Sequence, residues 1–318
     1  MIAGKPQKIY SIISDTLGDK QNLLKISELC RLVNVSRSGY YKWLRAEAGR
    51  MEREEADRQD FSLIAEAYRH RGYKKGARSI YMRLLHRDPP VHMNIKKIRR
   101  LMKKYGLDCP IRHANPYRRM ARAMRTNTVA PNLVQRRFTD YGPRKILLTD
   151  ITYIPFRDRF FYLSTVLDAY TRQVLSYVLS DSLKVDFVLE TIERLVRKHG
   201  ITLESETIIN SDQGCHYTSY PFIRIVRDSD LRQSMSRKGN CWDNAPQESF
   251  FGHMKDEIDI TGCNGYQDVK SRIDDWIDYY NKERYQWELA KLSPDEYWKY
   301  IKTGRYPLDI ALPKQQYI

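Results

Sequence analysis

The sequence predicts a two-part protein: small, basic, all-α modules followed by an α/β domain built on a mixed sheet. Three observations carry this expectation. Formal charge is divided unevenly, with residues 1–140 summing to +18 and residues 141–318 to −2, within a total of +16 over 318 residues. The texture changes near residue 144, from Lys/Arg-rich helical periodicity to runs of β-branched and aromatic residues. Residues 25–47 hold two short helical patterns around a break, the dimensions of a helix-turn-helix.

Composition excludes several classes. A hydrophobic fraction of 42% and an aromatic fraction of 12% are enough for a packed core and argue against a disordered chain. The five cysteines are scattered, odd in number and without a C-x-x-C pair, which suits reduced cytosolic thiols better than disulfides or a zinc site. No apolar run approaches the ~20 residues of a membrane helix, and the first residues lack the apolar stretch of a secretion signal. The expectation is a cytoplasmic, nucleoid-associated protein with no membrane partner. A strongly basic half beside a near-neutral half points to a polyanion, and nucleic acid is the natural one because bound phosphates release counterions.

Residues 1–50 are read as the first module. Ile26, Leu29, Cys30 and Val33 fall on one helical face, Asn34-Val35-Ser36 breaks it, and Ser36 caps a helix from Arg37 to Arg45. Residues 51–109 form a second basic helical module. It begins with a charged helix over 51–70. Ile80, Tyr81, Leu84 and Leu85 then share a face. A helix capped by Asn94 follows, with Ile95, Ile98, Met102 and Tyr105 on one side, cations on the rest, and Gly106 ending it. The stretch 71–130 alone sums to about +15, one sign with little compensation, the footprint of a phosphate-binding surface. Residues 110–143, with four prolines counting Pro110, read as a basic linker able to lie along a ligand. From 144 to 300 the pattern is strands at 145–156, 159–167 and 172–179, a helix at 185–199, a strand at 206–210, a helix at 222–228, a strand at 231–235, then helices from about Asn244 to Tyr280 and near 294–301. Residues 301–318 form a tail.

Three acids stand out by position. Asp150 interrupts a strand, where Asp is depleted; taken alone, a solvent-facing residue on the alternate face is the plainer reading. Asp212 follows the next strand's Ile208-Ile209-Asn210 in Ser211-Asp212-Gln213-Gly214, where a turn residue is the plain reading, although strand C-termini are where α/β sheets place ligands. Glu248 lies near the start of the helix after the last strand, with Asn244 as N-cap and Gln247 at the capping-box position; dipole electrostatics alone account for it. Together the three suit hard divalent cations, which take oxygen ligands, and a pair of ions can hold both oxygens of an in-line phosphoryl displacement.

The spacing and surrounding text are more specific. Asp150 and Asp212 are separated by 61 residues, Asp212 and Glu248 by 35. Thr149-Asp150-Ile151-Thr152-Tyr153-Ile154, Tyr217-Thr218-Ser219, the run from Ser234 through Arg237-Lys238-Gly239-Asn240-Cys241-Trp242-Asp243 to Ala245, and Glu248-Ser249-Phe250-Phe251 together resemble the transposase (second-frame catalytic product) of the bacterial insertion sequence three family, in the retroviral-integrase-like superfamily with an Asp–Asp–35–Glu triad. Val35-Ser36-Arg37-Ser38-Gly39-Tyr40-Tyr41, residues 71–116, Tyr280-Asn281 with Glu283-Arg284, and Leu292-Ser293-Pro294-Asp295-Glu296-Tyr297 extend the likeness over nearly the whole chain.

The resemblance implies an RNase H-like core in which Asp150, Asp212 and Glu248 are both the catalytic residues and the ligands of two Mg2+ ions, Mn2+ being able to substitute. The implied activity is metal-dependent cleavage at element ends and strand transfer of the 3′-OH, without a covalent enzyme intermediate. The implied partners are double-stranded DNA, as terminal inverted repeats and target, further copies of the chain assembled on DNA, and an upstream-frame DNA-binding protein. The DNA-contact candidates are Arg37, Tyr40, Lys42, Lys96, Arg100, Arg237, Lys238 and Lys255, with the Arg37–Arg45 helix reading bases and the 96–104 cluster anchoring phosphates. Asp243 is a rival third acid. Trp276, Tyr279, Tyr280 and Trp287 are candidates for a contact between cores. The residues two before Asp150 and Asp212, often Trp and His in the family, are Leu148 and Asn210 here. Two other functions compete: a structure-selective nuclease on the same fold, and a DNA-binding repressor with an inactive core.

Overall fold

The computed structural model describes residues 6–73, 75–109, 130–134, 138, 140–203, 206–236 and 244–310. The chain divides into two compact units, 1–65 and 66–318.

In the first unit, α1 (Pro6–Gly18), α2 (Ile26–Leu32) and α3 (Arg37–Arg45) enclose Ile9, Ile13, Leu29, Cys30 and Tyr40. Ser36 caps α3 by accepting from the Gly39 N–H at 3.0 Å. A Cβ on Gly39 would meet the Tyr10 hydroxyl and Ser36 Oγ, so the glycine lets α3 pack close against α1. The two short helices expected around a break at 25–47 are therefore present as α2 and α3. The chain leaves the unit through α4 (Glu47–Arg69).

The second unit opens with α5 (Ala77–Leu85) and α6 (Ile95–Lys104). Asn94 caps α6 through the Lys96 N–H at 2.8 Å, and Gly106 takes the left-handed conformation just beyond it. Ile98 and Leu101 are buried while Lys96, Arg99, Arg100 and Lys103 are exposed, as the amphipathic pattern required.

The α/β domain holds one five-stranded sheet: β1 (Ile146–Phe156), β2 (Arg159–Asp168), β3 (Val174–Ser180), β4 (Ile208–Ser211) and β5 (Arg232–Met235), in the order β3-β2-β1-β4-β5. The first three strands form an antiparallel meander; β4 and β5 add in parallel to β1. This is the mixed sheet of the RNase H-like class. Alternation along β1 sends Leu147 and Ile151 to the face covered by α7 (Asp186–His199) and α8 (Tyr220–Asp228), and Leu148, Ile154 and Phe156 to the face covered by α9 (Ala245–Glu257) and α10 (Tyr266–Lys282). The helical tail of the domain thus resolves into α9, α10 and α11 (Pro294–Thr303). Part of the expected linker belongs to the core. Leu133 donates its N–H to Ser234 Oγ at 3.0 Å, and Val134 is buried.

The helical module at 66–109 is bound onto α10 and the turn after it. Glu283 accepts from His70 (2.5 Å), Arg71 and Arg83 (3.0 Å). His86 stacks on Tyr285 at 3.6 Å and meets Glu296 at 3.2 Å. Tyr73 packs on Tyr279. Behind this junction Arg284 binds Glu257 bidentately, and Glu257 also accepts from the Trp276 indole at 3.0 Å. Trp276, Tyr279 and Tyr280 are accordingly buried in the core. They are not available for a contact between copies; of that group only Trp287 is exposed.

Candidate active site

Asp150 and Asp212 owe their proximity to strand register. β1 and β4 pair only over Ile146↔Ile208, Leu147↔Ile209 and Leu148↔Asn210. Continuing that parallel register two residues places Asp150 level with Asp212, at the C-terminal end of β4, where β1 runs on without it. Asp212 is exposed and Asp150 partly so. The Gly214 N–H donates to Asp212 Oδ1 at 2.8 Å.

The third acid is brought in by the first turn of α9, and the expected capping does not occur there. Asn244 makes no side-chain cap. Its Nδ2 instead donates to Asp150 Oδ2 at 3.3 Å, and Gln247 Nε2 donates to Thr165 Oγ1. Thr165 is the residue opposite Asp150 in the β1–β2 register. Two side chains three residues apart are thus tied to adjacent sheet positions, while Phe250, Phe251 and Met254 anchor the helix from below. Glu248, next to Gln247, is left exposed. The capping reading failed because both amides have better partners in the sheet than on their own backbone.

The electrostatics follow from this packing. Burial pushes the Asp150 carboxyl up to about 8, Asp212 and Glu248 add to the rise, and the Ile151 N–H and the Lys255 cation oppose it. Burial also raises Glu248. Tyr217, buried beneath the site, is raised well above its ordinary value by burial and then by the charges of Asp150 and Asp212. A carboxyl held protonated by burial and two like charges is one whose ionisation calls for a neutralising cation, and an all-oxygen donor set suits a hard divalent ion. Among the described residues no three His, Cys, Asp or Glu side chains converge on a single metal position.

The other expected positions divide. Arg37 and Lys42 on α3, Lys96 and Arg100 on α6, and Lys255 on α9 are all exposed. Lys255 is close enough to act on Asp150. Tyr40 is a correction: it is 3% exposed, packed in the first unit's core and stacked with Trp43 at 6.0 Å, so it cannot read bases. Arg237, Lys238 and Asp243 lie outside the described residues. Asn244, Gln247, Thr165 and Tyr217 surround the acids without having been singled out as site residues. Of these, Tyr217 and Asn244 belong to the motif runs around the acids, whereas Thr165 and Gln247 are placed at the site only by sheet register and the α9 contact.

Fold and site define an integrase-type core. The chain matches the family described as Integrase core domain over residues 140–241, a second model of that description over 229–294, and an HTH-like domain over 54–115. It is 30% identical over 282 residues to the putative transposase InsK for insertion sequence element IS150 of Escherichia coli, covering 88% of this chain and 96% of that one. It is 26% identical over 277 residues to transposase InsF for insertion sequence IS3A of Escherichia coli, covering 86% and 93%. An uncharacterized transposase-like protein of Haemophilus influenzae is 34% identical over 211 residues, covering 65% and 94%. Among solved structures, the catalytic core domain of BIV integrase aligns at 15% identity and a TM-score of 0.40, covering 51% of this chain and 98% of that one. The chain belongs to the transposases of the insertion sequence three family.

Proposed function

We propose that this transposase cleaves DNA at the ends of its element and joins the freed 3′-OH to target DNA, with Asp150 and Asp212 holding one divalent ion and Asp150 and Glu248 a second. The observation that carries the reading is the in-register placement of Asp150 and Asp212, with Glu248 fixed beside them by the Asn244 and Gln247 contacts. When bound, Mg2+ or Mn2+ supplies Lewis-acid stabilisation of the attacking and leaving oxygens. In the first step a water oxygen adds to phosphorus, the P–O3′ bond breaks, the proton passes to solvent, and a 3′-OH and a 5′-phosphate remain. In the second, that 3′ oxygen adds to a target phosphorus and the target P–O3′ bond breaks, leaving a target 3′-OH. No protein–DNA bond forms. The carboxylates orient both displacements, and Lys255, exposed two turns along α9 from Glu248, serves as a phosphate contact.

Arg37 and Lys42 are proposed to contact bases, and Lys96 and Arg100 to contact phosphates. Paired element ends require more than one copy, so assembly on DNA belongs to the same proposal. Among the described residues no helix is long and apolar enough to cross a membrane. A strand-transfer assay on labelled element-end DNA with Mg2+ tests the reading. Asp150→Asn, Asp212→Asn and Glu248→Gln should each abolish nicking and joining while DNA binding persists. Nicking without joining by the wild-type chain would favour the nuclease alternative. Nicking that persists in Glu248→Gln would move the third ligand elsewhere.

A further inference from the structure

Trp287 lies in the turn between α10 and α11 and carries two cations on one ring. The Arg78 guanidinium stands 5.5 Å from the ring centroid and the Lys291 ammonium 5.4 Å, both within cation–π range. Tyr81, three residues along α5 from Arg78, meets the same ring at 6.2 Å. The indole is 40% exposed, so the cluster faces solvent. Two consecutive residues in the left-handed region, Ala290 (φ 55°) and Lys291 (φ 67°), turn the chain at this point. The turn is fastened on both sides. The Lys291 N–H donates to the Gln286 carbonyl at 3.0 Å, and the Tyr306 hydroxyl donates to the Ala290 carbonyl at 2.7 Å.

Neither cation has a counter-charge. Among the described residues no carboxylate pairs with Arg78 or Lys291, and Glu288, beside Trp287, is exposed. Lys291 is nevertheless only 9% exposed. Burial alone holds its ammonium below the ordinary lysine value, with no acid acting against it. The buried part is the aliphatic stem; Nζ itself is not enclosed. Lysines this far removed from water are ordinarily paired, so this one calls for an anion. The two cations also come from different parts of the chain, Arg78 from the helical module and Lys291 from the α/β domain. Sharing one ring keeps them within about 11 Å of each other, close enough for the same or neighbouring phosphates of a strand that carries one charge per about 3.4 Å of axial rise.

Resting on the transposase reading, we propose that Arg78 and Lys291, set on Trp287, hold a backbone phosphate of the element-end duplex where it crosses from the helical module to the core. A duplex engaged by both parts must pass their junction, and a phosphate held by a cation from each fixes its path there without reading its sequence. The experiment measures binding of the full chain to element-end duplex across a salt series, without divalent ions. Arg78→Gln combined with Lys291→Met should weaken binding about tenfold at low salt and lower the salt slope by about 1–2, as one or two phosphate contacts are lost. The loss should be equal on an unrelated duplex. Lys291→Arg should keep the slope. Lys291→Met should keep or raise the melting temperature of the DNA-free chain, since it removes a desolvated charge that has no partner, and this separates lost binding from lost folding. Unchanged affinity and slope in the double variant overturn the proposal, as does weaker binding at an unchanged slope. Protection of the wild-type chain by inorganic phosphate that disappears in Lys291→Met, with duplex binding unaltered, would mark a free-anion site and overturn it too. Because the readout needs no metal, a lowered slope without Mg2+-dependent cleavage by the wild type would sink only the catalytic reading, and cleavage with an unaltered slope only the phosphate site.

Discussion

The Asn244 side-chain amide donates to Asp150 Oδ2 at 3.3 Å, joining residues 94 apart and fixing the start of α9 against the strand that carries the first acid. Such a group orients a metal ligand without binding the metal, and changes to groups of this kind typically cost about 10–100-fold in metal affinity. Asn244→Ala should therefore raise the Mg2+ concentration for half-maximal cleavage by roughly that factor, with little change in melting temperature. A metal titration checks it; an unmoved midpoint would reject the positioning role.

Asp150→Asn tests the same carboxyl from the stability side. Burial and the Asp212 and Glu248 charges make an ionised Asp150 unfavourable, so the neutral amide should raise the melting temperature in metal-free buffer. Divalent metal should raise the wild-type melting temperature, because an ion that binds only the folded state stabilises it, and should leave the variant unmoved. A metal-induced rise of equal size in both proteins would remove Asp150 from the ligand set.

Glu283 joins the helical module to the core through His70, Arg71 and Arg83. Glu283→Ala leaves the Arg71 and Arg83 guanidiniums without their shared counter-charge. Given that the carboxylate is 20% exposed, the loss should be about 2–3 kcal/mol by denaturant unfolding. Burial raises the Glu283 carboxyl, but the hydrogen bonds from His70 and Arg71 outweigh it and hold it below its ordinary value. Glu296 is likewise raised by burial and lowered more by His86 and Ser293. A folded-state value below the unfolded one means stability that is complete above the ordinary Glu range and is lost as pH falls through the depressed folded values. Acid unfolding of the wild-type chain should show that loss, and it should be smaller in Glu283→Gln.

The two groups of exposed cations should separate by assay. Lys96→Ala with Arg100→Ala should weaken binding to every duplex alike and lower the salt slope by about 2, near 0.9 per lost phosphate contact. Arg37→Ala should relax sequence preference. Equal losses on all sequences from both sets would reject the division between phosphate anchoring and base reading.

The DNA-free chain should sediment mainly as a monomer, since the +18 of residues 1–140 repels its copies and the aromatic cluster at Trp276, Tyr279 and Tyr280 is consumed in the core. Element-end DNA should drive assembly. A stable dimer at low micromolar concentration without DNA would contradict this.

The sequence by itself determined the elements and their order. Helical faces such as Ile98 and Leu101 on α6, caps at Ser36 and Asn94, and the β-branched runs of β1 to β3 are local patterns, decided by residues within a few positions of one another. The spacing of Asp150, Asp212 and Glu248 was legible too, because a motif is a linear object. α1 was missed although Ile9, Ile12, Ile13 and Leu17 recur at helical spacing.

What only the tertiary structure decided depends on register and burial between distant segments. The pairing of Leu148 with Asn210 brings Asp150 level with Asp212. Asn244 and Gln247 read locally as a cap and a capping box, yet they turn to Asp150 and Thr165 in the sheet. Tyr40 looks like a DNA contact on a helical wheel and is a core residue in three dimensions. Glu283-Arg284 reads in the sequence as a charged pair within the C-terminal motif. Folding separates its two charges, Glu283 to the helical module and Arg284 to Glu257, because consecutive residues at a helix end project to different sides.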